Sequence, residues 1–314
     1  MASFSGIYPA LVTPAHDDFS VDVEALRRMV AFHIESGVDG FWVAGATGEV
    51  TSLSGEERRV VTEAVIDASA SRAKVIVHVA SGNHRESLAL AAHAEQCGAD
   101  AIASIPPYFV PVREQEIIDH YRRLADGCGL PLFAYHLPMC THVPITQAIV
   151  ERLLAAEALQ GIKFSDFNLA DMWMMKNLGG DALSVLYGMD AMFLAGLVMG
   201  ADGGVGGTYC YMPQVHIQIY QAYKRGNLAA AQNIQRRATT FIRELSCGLG
   251  PIVFVKQAMS LMGLDCGPPR PPLLPPSPEQ CRLMERCWDD HREWLASLAV
   301  GATTIGAPEQ AGSA

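Results

Sequence analysis

Lys163 is an amine set inside an apolar, strand-like run, Leu159-Gln160-Gly161-Ile162-Lys163-Phe164. A free lysine has a pKa of roughly 10.4, so burying one costs free energy unless it is paired or loses its proton. A neutral buried amine is a nucleophile toward carbonyl carbon. Lowering its pKa by about 3 units takes about 4 kcal/mol of selective destabilisation of the charged form, which the dry interior of a barrel can supply. Schiff-base chemistry is therefore the leading expectation, and the competing one is an ion pair with Asp166 or Glu49.

Other residues of chemical interest sit where apolar runs end. Thr47-Gly48-Glu49 follows the second run, Tyr108 the fourth, Tyr135 closes the fifth, and Gly188-Met189-Asp190 follows the seventh. Two glycines in Gly45-Ala46-Thr47-Gly48-Glu49 would leave backbone amides exposed near a helix start, a cradle for a carboxylate, although the same residues would also serve as a tight turn. Tyr135 also fits a core tyrosine with a satisfied hydroxyl, and Asp190 fits a helix cap for the segment after it. His136 and His142 lack ligand spacing to an acidic partner, so no metal is expected.

The elements that must position these residues show in the periodicity. Short apolar runs at Ile7 to Thr13, Gly40 to Ala44, Val75 to Ala80, Ala101 to Ile105, Leu132 to Tyr135, Gly161 to Phe164, Leu183 to Tyr187 and Gly203 to Gly206 read as strands. Segments with three-to-four spacing read as helices: Val23 to Ser36, Gly55 to Ser71, Glu86 to Cys97, Glu114 to Gly127, Thr146 to Ala155 and Leu169 to Leu178. Continuous apolar strands alternating with helices imply parallel pairing through right-handed crossovers. Eight such units predict an α/β fold, a (β/α)8 TIM barrel over residues 1–224, with a doubly wound sheet as the alternative. Chemistry in such a barrel sits at the carboxyl ends of the strands, where these residues fall.

Beyond Tyr211 the periodicity is helical, at Asn227 to Leu245, Ile252 to Met262 and Glu279 to Leu298, which predicts a C-terminal helical extension over 225–300. Within it, Gly267 to Pro276 is proline-rich and must run extended as a strap between two helices. Residues 301–314 are small and weakly polar and read as a disordered tail.

Half of the 314 residues are apolar, enough for a large core, and the net charge of −10 comes with no cluster of lysines or arginines. Nucleic acid is not expected as a partner. The eight cysteines are scattered without a close C-x-x-C pair, which predicts reduced thiols and a cytoplasmic protein, not a disulfide frame or zinc knuckle. The amino terminus has no cationic stretch followed by an apolar core, and no charge-free run reaches membrane-spanning length, so neither export nor a membrane is expected.

Four segments together resemble the pyruvate-dependent class I aldolases that include dihydrodipicolinate synthase and N-acetylneuraminate lyase. They are Gly45-x-Thr47-Gly48-Glu49, Tyr135-His136-Leu137-Pro138, Gly161-Ile162-Lys163-Phe164-Ser165 and Gly200-Ala201-Asp202-Gly203-Gly204-Val205-Gly206. The resemblance runs from Ile7 to the strap, and Leu197-Val198-Met199-Gly200 with Gly267-Pro268-Pro269-Arg270 is most similar to the neuraminate lyase branch. It implies that Lys163 forms an imine with pyruvate or a larger 2-oxo acid, that Tyr135 moves protons, and that Thr47 with nearby loop amides holds the carboxylate. Ala46, Gly48, Tyr108, Gly188, Asp190 and Val205 complete the implied substrate site. It also implies a homotetramer and no organic or metal cofactor.

The departures narrow the expectation. Dihydrodipicolinate synthases carry hydroxyl residues where this chain has Ala46 and Phe109, and an arginine where Cys140 stands, so that synthase activity is disfavoured. Neuraminate lyases carry a glutamate where Ala191 stands and usually a serine at Gly207, which bind a polyhydroxylated tail. Their absence predicts an aldehyde portion shorter or less hydroxylated than that of sialic acid. The expected activity is reversible cleavage of a 2-oxo acid to pyruvate and an aldehyde. Dehydratase or hydratase-aldolase chemistry is the second reading, and an idle keto-acid-binding barrel the third.

Overall fold

The structure, a computed structural model, describes residues 4–300. Strands β1 (Gly6–Pro9), β2 (Gly40–Val43), β3 (Lys74–His78), β4 (Ala101–Ser104), β5 (Leu132–His136), β6 (Gly161–Phe164), β7 (Ser184–Tyr187) and β8 (Gly203–Gly206) pair in parallel in the order β1-β8-β7-β6-β5-β4-β3-β2. The amide of Leu11 donates to the carbonyl of Trp42 at 3.0 Å beside the Ala10–Trp42 bridge, closing β1 onto β2. The sheet is the expected (β/α)8 barrel.

Helices α1 (Val23–Glu35), α2 (Gly55–Ser69), α3 (His84–Cys97), α4 (Glu114–Asp126), the short α5 (Pro138–Thr141), α6 (Gln147–Ala155), α7 (Leu169–Gly179) and α8 (Phe193–Val198) fill the crossovers. After β8 come α9 (Pro213–Lys224), α10 (Leu228–Ser246), α11 (Pro251–Leu261) and α12 (Pro278–Val300). α8 and α9 were not anticipated, for physical reasons. The first is six residues long, too short to show a period, and the second alternates apolar with polar residues, Val215-His216-Ile217-Gln218-Ile219, a two-residue period that masks the helical one. β1 and β3 end earlier than expected, at Pro9 and His78.

Alternation along each strand separates two cores. Outward residues such as Ile7, Phe41, Val75, Ile102, Ile162 and Val185 pack under the helices, while Tyr8, Trp42, Ile76, Ala103, Phe133, Leu186 and Val205 fill the barrel. Lys163 alternates with outward-facing Ile162 and Phe164 and so joins the interior set.

A repeated device fixes the amino-terminal rim. Gly37-Val38-Asp39, Gly98-Ala99-Asp100 and Gly200-Ala201-Asp202 each place a glycine at positive φ just after a helix, then an aspartate that accepts a backbone N–H from an adjoining strand. Asp39 takes Ile7 N at 2.8 Å, Asp100 takes Val75 N at 2.8 Å and Asp202 takes Val185 N at 2.7 Å. This rim is stapled, which leaves the opposite rim free for chemistry.

The proline-rich segment lacks helix and strand, as expected, but does more than join α11 to α12. Arg270 donates its amide to Glu49 at 2.6 Å and its guanidinium to Glu57 of α2 at 2.7 Å, while Pro268 accepts from Lys256 at 2.9 Å. The strap is thus fastened to the loop after β2. The expected tail over 301–314 lies outside the described residues. Among the described residues no single helix is long and apolar enough to cross a membrane.

Candidate active site

Tyr135 on β5 and Lys163 on β6 are register partners, so adjacent strands present their side chains to the same side of the barrel wall. Lys163 Nζ lies 4.2 Å from the centre of the Tyr135 ring and 4.6 Å from that of Trp42. The lysine is 4% exposed, and among the described residues it enters no ion pair. Both proposed carboxylate partners are committed elsewhere: Glu49 to Lys256 at 2.5 Å, and Asp166 to His136 at 3.4 Å. Asp166 stands thirty residues beyond His136, a neighbour that only the fold supplies.

Burial pushes the Lys163 amine down to about 7, against the opposing field of Asp190. The two aromatic faces also favour the cation and act in the same direction as Asp190. The amine is therefore poised between charged and neutral forms near neutral pH, the condition for attack on a ketone.

Tyr135 sets a phenol beside this amine. Burial raises its phenol above the ordinary range, and a hydrogen bond with the Ser165 hydroxyl only partly offsets this, so it acts as a neutral O–H. Gly188 is required for that contact, because a Cβ there would stand 2.0 Å from Ser165 Oγ. The edges of Trp42 and His78 complete the enclosure, with ring centres 5.3 and 6.0 Å from Tyr135.

The loop after β2 folds as a compact turn. The amides of Glu49 and Val50 return to the carbonyls of Ala46 and Gly45, leaving those of Thr47 and Gly48 without a backbone acceptor. Thr13 donates to the Gly48 carbonyl at 2.8 Å, anchoring the turn to the chain leaving β1. Thr47 faces Gly207 across the mouth, its Oγ1 and Cγ2 each 3.2 Å from where a Cβ on that glycine would lie. Ala46 packs against the inner cluster containing Tyr135 and Val205. Two free amides beside a hydroxyl can bind a carboxylate.

Asp190 does not cap the short helical turn that it begins; Met189 occupies that position and makes no side-chain bond. Its carboxylate instead accepts from Thr208 N at 2.8 Å and Thr208 Oγ1 at 2.7 Å, clamping the turn after β8. Gly206 makes room for it, since a Cβ there would be 2.2 Å from Oδ1. Desolvation raises the Asp190 pKa despite those bonds.

Tyr108 is not drawn into this group by any described contact; its field falls on buried Arg58, which donates to the carbonyls of His78 and Ala80. Sequence reasoning passed over Trp42 and His78. Trp42 Nε1 and His78 Nε2 are buried without a partner in the chain, and burial with the charges of Arg58 and Lys163 holds His78 down at about 3, neutral. His78 had a signal, being a polar residue in an apolar strand just as Lys163 is. Ser165 stood within the lysine motif but carried no assigned role.

The profile of the Dihydrodipicolinate synthetase family matches residues 3–287. The chain is 35% identical to an N-acetylneuraminate lyase of Citrobacter koseri over 239 residues, 76% of this chain and 80% of that protein. It is 33% identical to a 4-hydroxy-tetrahydrodipicolinate synthase of Methanothrix thermoacetophila over 277 residues, 88% and 93% of the two chains. A solved structure of a Ruminococcus gnavus sialic acid aldolase catalytic lysine mutant superposes with a TM-score of 0.90 at 26% identity, covering 95% of this chain and 97% of that one. The buried lysine, the barrel that carries it and these likenesses converge: the chain belongs to the dihydrodipicolinate synthetase family of pyruvate-dependent class I aldolases.

Proposed function

We propose that the protein is a carbon–carbon lyase that reversibly splits a 2-oxo acid, other than sialic acid, into pyruvate and an aldehyde through an imine on Lys163. The observation that carries the reading is a buried, unpaired amine held near neutrality against the ring of Tyr135. The neutral amine attacks the keto carbon and water leaves, giving a protonated imine that acts as an electron sink. The substrate C4 hydroxyl gives up its proton, the C3–C4 bond breaks, its electron pair enters the imine as an enamine, and the aldehyde departs. Tyr135, a neutral O–H bonded to Ser165, relays this proton: it takes it from the C4 hydroxyl as its own proton passes to the bound substrate carboxylate, and the reverse relay supplies the proton for C3. Protonation of the enamine at C3 and hydrolysis then return pyruvate and free lysine.

Thr47 and the amides of Thr47 and Gly48 receive the substrate carboxylate, and Gly188, Asp190 and Val205 shape the remaining wall. Alanine at 191 and glycine at 207 supply no side-chain hydrogen bonds, which supports an aldehyde portion with few hydroxyls. A homotetramer is part of the same proposal, checked by sedimentation; Phe109, 97% exposed, and Trp173, 46% exposed, are surfaces for contact between copies. A cytoplasmic setting is supported by eight unpaired cysteines.

Borohydride with pyruvate is the direct test. A stable adduct on the Lys163 peptide, with pyruvate released from a panel of 2-oxo acids, is the expected result. An unsplit dehydrated acid as product would establish elimination instead, and absence of the adduct would leave only a binding protein.

A further inference from the structure

Outside the barrel mouth, two side-chain groups bring together atoms with metal-ligand chemistry among the described residues: Glu63, His93 and Cys97, and Glu244, Cys287 and His291. In the first, His93 Nε2 is already hydrogen-bonded to Glu63 at 2.8 Å. Cys97 Sγ there lies 3.6 and 3.9 Å from the two ring nitrogens, beside the ring and not ahead of a lone pair. That group is satisfied as it stands.

The second is built differently. Cys287 and His291 lie one turn apart on α12, facing Glu244 on α10, and the three donor atoms are all within 4.8 Å of one another. His291 Nδ1 lies 3.1 Å from the Cys287 carbonyl. A carbonyl only accepts, so Nδ1 carries the proton and Nε2 presents a lone pair, the arrangement that orients metal-bound histidines. Nε2 is 3.7 Å from Glu244 Oε2, too long for a hydrogen bond but close to the edge of about 3.4 Å between N and O ligands of a tetrahedral ion. The ring rests against Phe241 with centres 4.8 Å apart, which limits its rotation.

We propose that Glu244, Cys287 and His291 bind one divalent cation of the zinc class, clipping α12 to α10, with solvent in the fourth position. Glu244 is half exposed, which leaves that position open to water. Carboxylate, thiolate and neutral imidazole together balance the charge of a divalent ion. Burial and the neighbouring Glu244, Cys247 and Asp290 push the Cys287 thiol up to about 12, so the free protein holds it protonated. Binding replaces that proton: the S–H bond breaks, the sulfur lone pair joins the metal and one proton enters solvent. Linear spacing hid the site, since the two helices approach only after the strap has turned the chain back.

The test is Co²⁺ titration of the full-length chain after EDTA treatment. Thiolate-to-cobalt charge transfer and tetrahedral ligand-field bands should saturate near about one equivalent, with proton release. C287S should remove the charge-transfer band, H291N and E244Q should weaken binding by about tenfold or more, and C97S should change nothing. Zn²⁺ at saturation should raise Tm by about 2–4 °C or more in the parent and not in H291N. If C287S does not fold, H291N and E244Q carry the same comparison. No charge-transfer band, a band lost in C97S but kept in the α12 variants, or a Tm indifferent to Zn²⁺ would overturn the proposal.

Discussion

Glu49 and Lys256 form a buried ion pair, 2.5 Å between Oε1 and Nζ with their side chains 1% and 2% exposed, joining the loop that carries Thr47 and Gly48 to helix α11. Glu49 itself sits at φ +60°, a backbone state that a glutamate adopts only when its surroundings enforce it. Arg270 N binds the other carboxylate oxygen, so the candidate carboxylate cradle is shaped by residues more than two hundred positions downstream.

Lys256→Met should therefore destabilise the fold by about 3–5 kcal/mol, because it leaves a buried carboxylate without its counter-charge. Adding Glu49→Gln should recover part of that loss, which a double-mutant cycle on thermal unfolding would read. In the surviving fraction the KM for pyruvate should rise more than kcat falls, since the loop and not the amine is disturbed.

The pH profile should carry the signature of Lys163. With the folded amine at about 7, kcat/KM should fall about tenfold per pH unit on the acid side of that value. The stability sign follows from the same shift. Between about 7 and the ordinary 10.5 the unfolded chain binds the extra proton, so stability rises with pH across that window. Lys163→Met should remove this dependence, raise Tm at neutral pH, and lower pyruvate release by at least about 10³-fold. A variant no more stable than the parent would show that the amine is better solvated than its burial implies.

Tyr135→Phe keeps the ring against Lys163 and Trp42 while deleting the hydroxyl that meets Ser165. We expect kcat to drop by about 10²- to 10⁴-fold with borohydride trapping of pyruvate still detectable, separating proton transfer from imine formation. Ser165→Ala should show a weaker form of the same effect. Loss of trapping in Tyr135→Phe would instead place the hydroxyl in imine formation itself.

Asp190→Asn removes the charge that holds the Lys163 amine up, so the acid limb should move to lower pH. The same change weakens the Thr208 clamp, and a loss of about 1.5–3 kcal/mol in stability is expected from a hydrogen bond to a charged group. An unmoved limb in the pH–rate profile would mean that Asp190 acts only on the turn after β8.

Much of this was legible in the linear chain. Strand runs buried on both faces read as unbroken apolar stretches, and a lysine within one is conspicuous because burying its charge is costly. The order of strands, the barrel and the placement of Tyr135, Lys163 and Thr47 at strand ends followed from local pattern. The same pattern marked His78, which went unassigned because one neutral polar residue in a strand is ordinarily a satisfied core group. α9 escaped it because buried His216 and Gln218 alternate with apolar residues and blur the helical period.

Contacts between distant segments were decided only by the tertiary structure. Lys163, Asp166 and Glu49 all carry charges that sequence alone would pair freely, and only packing assigned Glu49 to Lys256 and Asp166 to His136. Asp190 read as a cap for its own turn because capping is a local habit. In the fold it reaches across to Thr208, since barrel closure brings the ends of β7 and β8 side by side. Residue type and period fix which face a side chain takes, while partner choice depends on distances that exist only once the barrel has closed.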